Sequence, residues 1–118
     1  MINKSPFKIK RNDTAPIILA TVYTKGGLGG WGKMDLSGVT SVNFSMADSK
    51  GELTIASQSG TTVPSCEGLI QYAWRNGDTA VAGNYRGEFE IFFTNGTKMS
   101  LPREGTIDII ILADLNET

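Results

Sequence analysis

Residues 76–93 read NGDTAVAGNYRGEFEIFF, and they decide the fold class. From Tyr85 onward apolar and charged side chains alternate. Tyr85, Phe89, Ile91 and Phe93 fall on one side, and Arg86, Glu88 and Glu90 on the other. A period of two is that of a strand with one face buried and one face solvated. The run leads into Asn95-Gly96, a pair that supplies the positive φ angles of a tight hairpin turn, and TKMSL follows as the returning strand.

The same alternation recurs on both sides of this stretch. Phe7 and Ile9 alternate with Lys8 and Lys10, and Val42, Phe44 and Met46 with Asn43 and Ser45. Ile70, Tyr72 and Trp74 share a face, as do Ile107, Ile109 and Ile111. PIILATVYT, residues 16–24, is rich in β-branched side chains and is expected to be a longer strand buried on both faces. Asp35–Gly38 and Pro102–Gly105 carry turn chemistry. No segment holds a 3.6-residue apolar period long enough for a helix. Residues 1–118 therefore read as a single all-β domain, an antiparallel sandwich of seven or eight strands, with short frayed termini such as DLNET.

Composition narrows the function. At 118 residues, 40% hydrophobic and 19% charged, the protein is long enough to bury a core of its own. A net charge of −1 with interspersed signs gives no footprint for nucleic acid or an anionic membrane. Apolar runs such as Ile109–Ala113 are too short to span a bilayer, and MINKSPFKIKRND has no apolar core of a secretory signal. Cys66 is the sole cysteine, so neither an internal disulfide nor a structural zinc site is expected. Sequons at Asn12, Asn95 and Asn116 then carry little weight. Histidine is absent from the sequence, which removes the commonest general base and metal ligand.

Two motifs suggest enzymes. KGGLGGWGKMD, residues 25–35, satisfies G-x-G-x-x-G from Gly27 and nearly completes a triphosphate-binding loop at Lys33. Both motifs require a following helix, and here a turn and an alternating strand follow instead. Met34 also stands where a magnesium-binding hydroxyl belongs. The stretch reads as a hairpin loop, and Trp31, flanked by glycines, reads as a contact residue together with Leu28 and Lys33. Glu88 and Glu90 should stand about 7 Å apart, a spacing inverting glycosidases use. A flat solvent face with Arg86 alongside offers neither a cleft nor a raised pKa. Cys66 has no histidine to activate it, the acids lack calcium-loop spacing, and no cofactor is implied. Trp74 and the other alternating aromatics read as core, since a base-stacking surface needs a basic groove.

The approach Asp78-x-x-x-x-Gly83-x-Tyr85 resembles the entry to strand F of immunoglobulin-like domains, where a tyrosine hydroxyl bonds back to upstream backbone. Gly87 then stands where antibody domains place a cysteine. In sequence order, FKIKRNDTAP, DLSGVTSVNFSM, GLIQYAW, GDTAVAGNYRGEFEIFF, the NG turn and LPREGTIDIII resemble the N-terminal immunoglobulin-like domain of phage baseplate upper proteins. That resemblance implies a non-enzymatic virion structural protein of a tailed phage, made in the bacterial host cytoplasm. It would act in the tail, baseplate or neck, in repeated symmetric copies, on other phage structural proteins. No nucleic acid, membrane or small-molecule cofactor is expected as a partner. Contact would fall to Trp31, Leu28, Lys33 and Phe7, with Asp78, Gly83, Tyr85, Trp74, Asn95 and Gly96 as structural positions. The alternatives are a capsid decoration protein and a carbohydrate-binding sandwich using Trp31.

Overall fold

The computed structural model describes residues 6–25, 31–64, 67–102 and 105–113. These form ten strands and no helix: β1 Phe7–Lys10, β2 Ile18–Thr21, β3 Tyr23–Lys25, β4 Trp31–Lys33, β5 Val39–Asp48, β6 Leu53–Thr62, β7 Leu69–Tyr72, β8 Gly83–Phe93, β9 Lys98–Leu101 and β10 Ile107–Leu112. Pairing runs β1-β10-β8-β5-β6-β7-β2, with β9 beside β8 and β3 paired to β4. Every pair is antiparallel except β1 with β10, which run parallel from Phe7 opposite Ile109 to Lys10 opposite Leu112. The result is an immunoglobulin-like β-sandwich.

Strand β6 joins the two sheets. Its first part pairs with β5, and Thr61 and Thr62 pair with Gln71 and Ile70 of β7. Between the pairs Phe44–Gln58 and Met46–Ile55, two residues of β6 oppose one of β5, which is a bulge. Ser57 takes the positive φ of 48° there, and its N–H donates to Ser45 Oγ at 2.9 Å. The bend carries β6 across the corner, where a Cβ on Gly60 would stand 2.6 Å from the carbonyl oxygen of Gln71. Glycine is what lets the two backbones approach so closely.

Alternation becomes burial. Val42, Phe44, Met46, Tyr85, Phe89, Ile91, Ile109 and Ile111 point inward from one sheet, against Ile18, Ile70 and Tyr72 from the other. At the centre Phe44 stacks on Tyr72 with centroids 4.7 Å apart, and Trp74 meets both edge-on at 5.9 and 5.6 Å. Full burial of such side chains contributes about 1.5–3 kcal/mol each. The Trp74 indole N–H donates to the Pro16 carbonyl at 3.0 Å, so its polar atom is satisfied within the core. Gly87 gives this packing its room: a Cβ there would lie 2.8 Å from both Phe44 Cζ and Ile109 Cδ1. Where antibody domains have an inter-sheet cysteine, this protein has a phenylalanine ring over a glycine.

Four sequence expectations need correction. Ten segments replace seven or eight, because Val22 separates β2 from β3 and because β4 and β6 form where the sequence shows no alternating run. PIILATVYT is not buried on both faces: β2 ends the pairing path, leaving Leu19 and Tyr23 each 50% exposed. β6 gave no alternation to read, since Ile55 is its one fully buried side chain. Finally, the Asn95-Gly96 turn has a three-residue loop. Gly96 N–H donates to the Phe93 carbonyl and Phe93 N–H to the Thr97 carbonyl, both at 3.0 Å, with positive φ at Gly96 but not Asn95. That is a type I turn closed by a glycine bulge.

Candidate functional site

The two sheets do not close on one side. β2 pairs with β7 along one edge and β9 with β8 along one edge, and among the described residues no strand covers their other edges. Between them lies a groove of about 270 Å³. Leu19, Ala20 and Thr21 form one wall; Leu101, Pro102, Thr106, Ile107 and Asp108 form the other. Topology accounts for the gap. β1 joins β10 at Phe7 opposite Ile109, which leaves Ile107 and Asp108 beyond its reach, and the turn at Pro102 takes the backbone off β8. Ala20, Leu101 and Ile107 pack partly buried against the core, so the groove has an apolar floor. Among the described residues Asp108 is the one ionisable group that lines it. An apolar floor between unpaired backbone N–H and C=O groups suits an extended polypeptide.

The residues singled out from sequence are distributed elsewhere. Tyr85 makes the expected corner, its hydroxyl donating to the Val81 carbonyl at 2.6 Å. Gly83 opens β8 at that corner. Asp78 serves a different tyrosine: its carboxylate accepts from Tyr72 Oη at 2.5 Å, Arg75 N–H at 2.8 Å and Arg75 Nη2 at 3.3 Å. Burial, reinforced by the Asp78 carboxylate, pushes the Tyr72 phenol up to about 12. Burial first and the Asp48 charge second also raise Tyr85. The Asp35 carboxyl is held low by the backbone N–H of Ser37, which closes the turn before β5.

Of the contact residues, Phe7 packs on Trp74 with centroids 5.9 Å apart, so it is half-buried core and not a free contact. Lys33 is exposed opposite Tyr23 in the β3–β4 hairpin. Trp31 contributes its backbone to β4, while its side chain, Leu28 and Cys66 lie outside the described residues. Glu90 pairs with Lys98 at 3.4 Å across the sheet, in place of the Arg86 partner that spacing suggested. The groove brings together none of these residues. No sequence signal marks it, because edge position rather than composition exposes Leu19.

No family model matches the sequence, and no curated protein does. Among solved structures the protein is similar to CopC from Methylosinus trichosporium OB3b, with a TM-score of 0.56 and 11% identity over 98% of this chain and 91% of that one. At that identity the likeness shows the fold, a β-sandwich. The expectation of a tailed-phage virion protein, with its capsid and carbohydrate-binding alternatives, is corrected: the structural likeness found is to CopC, and no family model or curated protein of the expected kind matches.

Proposed function

We propose that the protein is a non-enzymatic binding module that takes an extended polypeptide segment of another protein into the β2–β9 groove by strand addition. One observation carries this reading: two strand edges without partners among the described residues face each other across an apolar groove of about 270 Å³. β2 offers about 13 Å of edge at the usual rise per residue, enough for a short strand to bond alternately to its backbone. Each such bond contributes about 1 kcal/mol. Alternate side chains of the incoming strand would enter between Ala20 and Ile107, so small aliphatic residues are favoured there. An apolar occupant is favoured because Ala20, Leu101 and Ile107 form the floor, with Asp108 the one charge among the described lining residues.

Short peptides alternating valine with threonine, titrated calorimetrically against the protein, test the reading. Binding is expected, and Leu19→Lys should weaken it without altering stability, because Leu19 is 50% exposed. Absence of binding by any extended peptide, or affinity unchanged in Leu19→Lys, would overturn it.

A further inference from the structure

Two Asn-Gly pairs occur in the sequence, Asn76-Gly77 and Asn95-Gly96. Asparagine before glycine is prone to cyclise, because glycine leaves the following amide nitrogen unshielded. Both pairs are exposed and both glycines have positive φ, 94° and 88°, so accessibility does not distinguish them. Hydrogen bonding does. Asn95 Oδ1 accepts from Thr97 N–H at 3.0 Å and from Thr97 Oγ at 2.6 Å, and Gly96 N–H donates to the Phe93 carbonyl at 3.0 Å. The electrophile and the nucleophile of that pair are both held in place. Neither the Asn76 carboxamide nor Gly77 N–H makes a hydrogen bond among the described residues, and a Cβ on Gly77 would meet nothing within 4 Å.

We propose that Asn76 is a site of spontaneous deamidation and isoaspartate formation in the folded protein, and that Asn95 is protected. The Gly77 amide nitrogen, having lost its proton to solvent base, attacks Cγ of Asn76. The new N–C bond closes a five-membered succinimide as the bond from Cγ to Nδ2 breaks, and Nδ2 takes a proton from water and leaves as ammonia. Water then opens either carbonyl, giving aspartate or isoaspartate, with no change of oxidation state.

The site lies inside the turn that orients Asp78. Arg75 N–H donates to Asp78 Oδ2 at 2.8 Å and Asp78 N–H to the Arg75 carbonyl at 3.0 Å. Isoaspartate adds a methylene to the backbone within that ring, and its carboxylate competes with Asp78 for Arg75. The modification therefore loosens the Tyr72–Asp78–Arg75 corner.

Trypsin separates the two sites, into the peptides Asn76–Arg86 and Gly87–Lys98. The folded protein, incubated at mildly alkaline pH, is digested and mapped by mass spectrometry with fragmentation to locate the gain of mass. Two hydrogen bonds hold the Asn95 carboxamide and a third holds Gly96 N–H, so Asn76 should react at least about tenfold faster. In denaturant the two rates should converge, and Thr97→Val should accelerate Asn95 in the folded state. Equal rates in the folded protein, a faster Asn95, or an Asn76 that reacts in denaturant but not when folded would overturn the proposal.

Discussion

Gly87→Ala places a methyl carbon 2.8 Å from Phe44 Cζ, 2.8 Å from Ile109 Cδ1 and 3.0 Å from Phe44 Cε1. Carbon atoms sit comfortably about 3.5–4.0 Å apart, so both neighbours must recede by most of an ångström. Phe44 has little room to do so. Its ring stacks on Tyr72 at 4.7 Å, lies 5.0 Å from Phe89 and meets the edge of Trp74 at 5.9 Å. Overpacking of a filled core costs about 1–3 kcal/mol. The lower entropy of the unfolded alanine variant offsets about 0.4–1 kcal/mol of this. The expected net loss is about 1–2 kcal/mol, or roughly 4–8 °C in melting temperature for a domain of this size. Urea titration monitored by tryptophan fluorescence reads it as a lower midpoint at unchanged slope. Gly32→Ala is the matched control, since a Cβ there meets nothing within 4 Å. In a Phe44→Leu background the Gly87→Ala penalty should shrink, because the opposing ring is gone. A Gly87→Ala protein as stable as its parent would refute the packing account.

Gly60→Ala should be the more damaging glycine substitution, by about 2–3 kcal/mol, because the atom 2.6 Å away is the backbone oxygen of Gln71. Amide exchange in β6 and β7 should accelerate with it. Tyr85→Phe removes the hydroxyl that donates to Val81 at 2.6 Å and should cost about 0.5–1.5 kcal/mol in the same urea titration. Tyr72, raised to about 12 from an ordinary 10, is favoured neutral by folding. Its contribution is full below pH 10 and is lost as pH rises from 10 through about 12. Stability measured against pH should stay level up to the lower limit and fall beyond it; a Tyr72→Phe protein with the same alkaline fall would contradict this assignment.

How much could be read in the sequence depended on where burial is one-sided. β8 was legible because its two faces differ sharply: Tyr85, Phe89 and Ile91 are buried while Arg86 is exposed. The Tyr85 corner was legible because it is local, a bond between residues four apart. β6 was not, because a strand that bends between two sheets presents no constant face, and its side chains from Ala56 to Thr62 are polar or small. Asp78 was read as part of the turn before Tyr85, whereas its carboxylate accepts from Tyr72, six residues upstream, a contact that no motif announces. The groove was invisible in the sequence. Unpaired edges belong to the topology, and Leu19 in a β-branched run looks like core until its strand is seen to end a sheet.

Strand addition is tested most directly by the backbone amides of the isotopically labelled protein, followed by NMR as an extended peptide is added. Shifts and new exchange protection should appear at Ile18–Thr21, Lys98–Leu101 and Ile107–Asp108, where the two edges face the groove. Shifts confined to the outer face around Arg86, or amides of β2 that exchange as fast with peptide as without it, would contradict the account.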